Sequence, residues 1–275
     1  TYPMKTLPPW SMYWTHSLHK QFPDERPNGS PIASLRALRG ETVSAQLLIC
    51  TNVPLHSRMT AALTADGLNG ARLRLVRTVP VRYAWPTNGD EWYLRKTPGM
   101  YPDLLTDLQP FWLNMGETRA LWLDIHIPDD QPAGTYTVTV RLTDGESTAE
   151  ASLTVTVLAA QLGAQTLMCT QWFHSDCLAD YYGADVFSEK YWAITARFMR
   201  ALADSGSNMI LTPIFTPPLD TEIGGERTTV QLIDVTRRAD GSYAFGFDRL
   251  RRWIDTATAN GLRYFEISHL FTQWG

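Results

Sequence analysis

Thr166-Leu-Met-Cys-Thr-Gln-Trp-Phe173, Asn208-Met-Ile-Leu-Thr-Pro-Ile-Phe215 and Tyr264-Phe-Glu-Ile-Ser-His-Leu-Phe271 decide the fold of the carboxyl-terminal part of the chain. Each is a short apolar run followed by residues that hydrogen-bond or stack: His174-Ser-Asp176, Thr216-Pro-Pro-Leu-Asp-Thr-Glu222 and Thr272-Gln-Trp-Gly275. Helical periodicity separates them. Tyr191, Trp192, Thr195, Phe198, Met199 and Leu202 recur at helical spacing after Ser188, a capping residue, and Gly206 supplies the stop. Leu250, Trp253, Ile254 and Ala257 repeat the pattern between Asp248, read as a second cap, and Gly261. Strand–helix–strand alternation with crossovers of this length demands parallel pairing. Residues 161–275 therefore read as about three parallel strands and two helices, the first part of a (β/α)8 barrel, with polar groups gathered at the carboxyl ends of the strands.

A whole barrel takes roughly 250 residues, far more than follow Gly163. The 264–271 strand would be apolar and unpaired, so further barrel polypeptide is expected to pair with it and the chain is expected to be cut short. The second strand and Asp248 are joined by a long connection holding Asp220, Glu222, Glu226, Arg227 and Gln231, then a hairpin turning at Asp240-Gly241. Long connections inside a compact domain are usually functional.

Working outward, residues 1–160 read as an antiparallel β-sandwich. Thr42–Cys50, Arg72–Val79 and Thr118–Ile127 alternate with a period of two, as half-buried strands do. Pro132–Leu142 turns at Asp144-Gly145 into Thr148–Val157, and Asp-Gly between alternating runs signals a hairpin whose central residues tolerate positive φ. Between Arg82 and Trp112 the alternation breaks into aromatic residues and prolines, which reads as a loop packed by its own side chains. The fold class is thus multidomain β and α/β, a sandwich followed by an incomplete TIM-like barrel.

The chain has 275 residues, 44% hydrophobic and 19% charged, with a formal charge of -4, so it offers no basic footprint for nucleic acid or an anionic membrane. No apolar run reaches membrane-spanning length, and Thr1–Trp10 lacks the layout of a signal peptide. Cys50, Cys169 and Cys177 are odd in number and sparse, which argues against a disulfide framework or zinc and favours a reducing, cytoplasmic compartment. No metal or cofactor is expected.

Glycoside hydrolysis needs two carboxyl functions, or one acid with a substrate amide and a carboxylate to steady it. Asp176, Asp180, Asp220, Glu222, Glu226 and Glu266 are available. Phe265 and Ile267 should face helices, which turns Glu266 and Ser268 into the barrel, where burial raises a carboxyl pKa unless the group is paired. Glu266 is either a ligand contact or an interior partner of Arg227 or His174. Asp176, Asp220 and Glu222 either cap loops or touch ligand. His174 and His269 lie near strand ends and can donate to a sugar hydroxyl or serve structure. Trp172 and Trp274 can stack on a pyranose or pack in a core. No phosphate loop or nucleophile elbow is present.

Trp172-Phe-His-Ser-Asp-Cys177, Pro217-Pro-Leu-Asp-Thr221, Glu226-Arg-Thr-Thr-Val-Gln-Leu232 and Tyr264–Gly275 resemble bacterial proteins related to glycoside hydrolase family 123. Pro80-Val-Arg-Tyr83, Pro98-Gly-Met-Tyr-Pro-Asp103 and Ala133-Gly-Thr-Tyr136 resemble the sandwich domain preceding their barrel. The resemblance implies exo-β-N-acetylgalactosaminidase action by substrate assistance: the 2-acetamido oxygen attacks the anomeric carbon, a Glu protonates the leaving group, and an adjacent Asp orients the acetamide. It also implies a 2-acetamido sugar ligand. The only adjacent Asp-Glu pairs here are Asp24-Glu25 and Asp90-Glu91, both in the sandwich, so no residue receives a catalytic role. The substrate-binding set is Trp172, His174, Asp176, Asp220, Glu222, Arg227, Glu266, His269 and Trp274. A non-catalytic carbohydrate-binding or scaffolding protein stands as the alternative.

Overall fold

Period-two alternation in the first unit, residues Thr1–Gly163, becomes two five-stranded sheets sharing one core. A computed structural model describes residues 8–83, 91–215, 225 and 227–268. The strands are β1 (Ser11–His16), β2 (Ser34–Arg39), β3 (Thr42–Cys50), β4 (His56–Ala65), β5 (Ala71–Val81), β6 (Gly99–Asp107), β7 (Phe111–Asn114), β8 (Thr118–His126), β9 (Gly134–Thr143) and β10 (Thr148–Gln161). One sheet runs β1-β3-β8-β5-β6 and the other β2-β10-β9-β4-β7. Val138, Val140 and Leu142 of β9 and Leu153, Val155 and Val157 of β10 point inward against Leu47, Leu121, Leu123 and Ile125 of the opposite sheet. Burying each such side chain contributes about 1.5–3 kcal/mol.

The structure corrects the sequence reading of this unit at four places. The sandwich is not wholly antiparallel, because β2 lies parallel to β10. β3 does not alternate: Ala45 to Ile49 are all buried. Its outer face is covered because the Gln46 amide donates to the carbonyls of His16, Ser17 and His19, at 3.3, 3.0 and 2.6 Å, drawing that segment over the sheet. Much of the stretch from Arg82 to Trp112 is strand rather than loop. β6 pairs with β5 as an edge strand, where Pro102 breaks no ladder bond the sheet needs, and the register shifts beside it between Arg77 and Thr78. The β9–β10 turn uses one positive-φ residue, Gly145 at 98°, while Asp144 works through its side chain, which accepts from the amides of Glu146 and Ser147.

The second unit, Ala164–Gly275, holds β11 (Thr170–Gln171), α1 (Ser175–Tyr182), α2 (Glu189–Asp204), β12 (Met209–Thr212), β13 (Asp234–Arg237), β14 (Tyr243–Gly246), α3 (Asp248–Ala259) and β15 (Tyr264–Ile267). β11, β12 and β15 form a parallel sheet in that order. Asn208 ties it at the start: its side-chain oxygen accepts from the Cys169 amide at 2.8 Å, and its amide donates to the Leu167 carbonyl at 2.9 Å. Tyr191, Trp192 and Met199 of α2 and Trp253 and Ala257 of α3 pack over Ile210 and the part-buried Phe265. Ser188 caps α2 by accepting from the Tyr191 amide, and Asp240-Gly241 turns the β13–β14 hairpin.

Here too some expectations fail. A third helix, α1, starts immediately after His174, because Asp176 in its first turn suits the positive end of the helix dipole and Gly183 closes it in the left-handed conformation. Asp248 does not cap α3 through its side chain; its carboxylate lies 2.8 Å from Arg251 instead. Phe198, Ile254 and Ile267, read as buried, are 39%, 37% and 52% exposed.

Candidate functional site

The register of the parallel sheet sorts its side chains. Gln171, Ile210 and Phe265 stand level, with Ile210 and Phe265 in the helical core. The neighbouring residues therefore belong to the opposite face: Thr170 level with Met209 and Tyr264, and Glu266 level with Leu211. Glu266 is part-buried and reaches across this face. One carboxylate oxygen accepts from the Thr170 hydroxyl at 2.7 Å and the other from the Trp172 indole N–H at 3.4 Å. A carboxylate offers about four acceptor positions, so capacity for further donors remains. Trp172, just past the end of β11, is 55% exposed and presents a flat apolar ring beside that carboxylate. Ser268 closes the ends of the other two strands: its amide donates to Thr212, and its hydroxyl lies 3.3 Å from the amide and 3.2 Å from the carbonyl of Phe215.

A second cluster lies where β11 gives way to α1. The Arg227 guanidinium donates from Nε and Nη2 to the two oxygens of Asp176, and Nη2 also lies 3.0 Å from Nδ1 of His174. This ion pair is nearly dry, with the side chains of Arg227 and Asp176 only 13% and 6% exposed. Beneath it, the Tyr191 hydroxyl donates to Ser175 at 2.9 Å. Burial pushes the Tyr191 phenol above its ordinary pKa and the Asp176 charge adds to that, while the bond to Ser175 opposes it. Thr228 donates to Asp180 at 2.9 Å, which fastens the returning chain to α1 a second time.

The model of the glycoside hydrolase 123 catalytic domain matches residues 172–275, which hold both clusters apart from Thr170, and that of the glycoside hydrolase 123 N-terminal domain matches residues 15–144. The chain belongs to glycoside hydrolase family 123. A family 123 glycoside hydrolase from Clostridium perfringens, whose structure was solved to detail glycolipid glycan hydrolysis, shares its fold at a TM-score of 0.69 and 13% identity, over 92% of this chain and 46% of that one. The present chain thus spans less than half the length of that solved relative. A FixG-related protein from Vibrio parahaemolyticus, at 12% identity over 55% of this chain and 98% of its own, reaches a TM-score of only 0.27. The PapD-like domain 7 of human CEP192 gives the same score at 12% identity, over 58% of this chain and 94% of its own. No curated protein matches the chain.

Within this family 123 chain, the structure gathers five of the nine residues singled out from sequence, in two groups: Trp172 with Glu266, and His174 with Asp176 and Arg227. Asp220, Glu222, His269 and Trp274 lie outside the described residues. Glu266 does not partner Arg227 or His174, as one sequence reading had it; its partners are Thr170 and Trp172, because Arg227 is already held against Asp176. Thr170 and Asn208 were missed, and Ser268, read from sequence as facing the barrel beside Glu266, was given no role. Thr170 was legible in principle, since it shares a strand face with Trp172. Asn208 and Ser268 act by bonds to distant backbone, for which the sequence carries no signal.

Proposed function

We propose that this chain is the amino-terminal part of a family 123 glycosidase, with a sandwich domain over residues 1–160 and the first part of a (β/α)8 catalytic domain over residues 161–275. The reaction is retaining hydrolysis of an exo-β-N-acetylgalactosaminide, in which the 2-acetamido oxygen of the substrate attacks its own anomeric carbon. The adjacent Asp-Glu pair that orients the acetamide and protonates the leaving group comes from polypeptide beyond this chain, which is inactive alone. That polypeptide continues the parallel sheet from the edge of β15. What this chain supplies is part of the sugar-facing wall: Trp172 as a stacking surface, Glu266 as an acceptor for sugar hydroxyls, and the His174–Asp176–Arg227 cluster beside them. Asp220, Glu222, His269 and Trp274 complete the proposed set.

The observation that carries the reading is the Glu266 carboxylate, hydrogen-bonded by Thr170 and Trp172 on the sheet face away from the helices, next to a half-exposed indole. A carboxylate beside an aromatic plane is the pairing that neutral pyranoses favour, with polar edges bonded and the C–H face stacked. The test is hydrolysis by the full-length protein of aryl 2-acetamido-2-deoxy-β-galactosides, with the β-glucosides alongside. Release from the acetamido galactoside with retention of configuration is expected. Absence of release from every acetamido sugar would contradict substrate assistance, and binding without release would favour a carbohydrate-binding protein.

A further inference from the structure

The contact between Arg227 and His174 has a chemical direction. Guanidinium has donors and no acceptor, so the 3.0 Å approach of Nη2 to Nδ1 is a hydrogen bond only when the Nδ1 lone pair accepts it. In a neutral imidazole the proton then sits on Nε2. A ring N–H at Nδ1 would face a guanidinium N–H, and a ring turned by 180° would set a carbon there. Arg227 cannot easily move away to permit either, because Asp176 grips it through both carboxylate oxygens in a nearly dry pair. His174 and Asp176 leave the sheet on the same turn, and Arg227, more than fifty residues on, closes over both. Among the described residues, Nε2 of the part-buried His174 has no partner.

We infer that Arg227 is a positioning residue that locks His174 in the tautomer protonated on Nε2, so that His174 meets a saccharide as a hydrogen-bond donor and selects an acceptor oxygen. The Asp176 charge offsets that of Arg227, which leaves a neutral donor suited to a neutral sugar rather than to an anion. Only the choice of ligand rests on the proposed function; the tautomer does not.

The experiment is long-range 1H–15N spectroscopy of the full-length protein labelled with 15N-histidine and 15N-tryptophan, near neutral pH, with the His174 signals assigned by their loss in His174→Gln and the Trp172 indole by its loss in Trp172→Phe. The expected spectrum shows Nδ1 unprotonated and Nε2 carrying the proton. A folded Arg227→Met variant should lose this preference, and Arg227→Lys, which keeps a donor, should retain it. A wild-type ring protonated on Nδ1 would overturn the inference, as would an unchanged tautomer in folded Arg227→Met; the wild-type spectrum decides even where that variant does not fold. Titration with N-acetylgalactosamine should then shift the His174 Nε2–H and the Trp172 indole together. A Trp172 response with His174 unmoved removes His174 from recognition. No response at either residue, with the tautomer as expected, upholds the positioning role and tells against the saccharide reading.

Discussion

The sandwich unit and the strand–helix unit use their polar side chains differently. In the sandwich, polar clusters close on themselves. Arg95 bonds Asp24 and Glu25, lies with its guanidinium 3.8 Å from the centre of the Phe22 ring, and is 12% exposed at its side chain. That clasp accounts for Asp24-Glu25, one of the two adjacent Asp-Glu pairs in the chain: it ties a loop to the segment before β6. Asp124 is likewise filled by Ser44, Arg74 and Trp122. In the strand–helix unit the helices cover one sheet face, and the other carries a carboxylate with spare acceptor positions beside an exposed indole. An acidic dipeptide in a self-satisfied cluster is architecture; a single Glu on an open sheet face is available for chemistry.

This contrast can be broken or sharpened by substitution. The largest effect should come from Trp253→Ala, which empties the centre of the second unit's core and should cost about 3–5 kcal/mol. Hydrogen exchange should show protection lost in α2, α3 and β12 and kept in β3 and β8; loss in both units would break the contrast. Trp253→Phe should cost less, since the buried indole N–H it removes has no partner among the described residues. Next, Asp176→Asn removes the carboxylate charge that holds the Arg227 guanidinium in this nearly dry pair, and should cost about 3 kcal/mol by denaturant unfolding. A loss below about 1 kcal/mol would show that water reaches the pair.

The smallest effect belongs to Asp24. Its hydrogen bond with Arg95 holds its carboxyl below the ordinary range. A depressed folded-state pKa means that the stabilisation is complete above the unfolded value, about 4, and is lost as pH falls through the folded value. Sandwich stability should therefore decline in acid, and Asp24→Asn should flatten that decline. The pair is well exposed at Asp24, so the difference should stay under about 1 kcal/mol. An identical acid decline in the variant would assign it to other carboxylates.

Legibility followed the same divide. Thr42–Cys50 was readable to the residue as β3, because alternation is written into any strand with one wet face, although here the second face proved covered. β6 was not readable: Pro102 and the aromatics around it mimic a loop, and only pairing with β5 at an edge makes the stretch a strand. β1 and β2 hide for a related reason, since short edge segments gain their structure from neighbours, and β4, inside its sheet between β9 and β7, lacks a clear apolar alternation. The eight residues of α1 are too few to show a period, and Tyr181, at 83% exposure, disguises what there is. In the site, strand alternation placed Glu266 on the face away from Phe265. Nothing local could pair Asp176 with Arg227, because that bond spans 51 residues and depends on the path of the intervening chain.

The central claim is that Glu266 faces sugar, and Glu266→Gln in the full-length protein tests it most directly. The amide keeps the shape and one acceptor oxygen but loses the charge, so bonds worth about 1.5–3 kcal/mol to a charged partner weaken. With an aryl 2-acetamido-2-deoxy-β-galactoside, kcat/KM should fall roughly tenfold to a hundredfold at an unchanged melting temperature. Unaltered kinetics in a folded variant would contradict the account and leave Glu266 as a strut between Thr170 and Trp172.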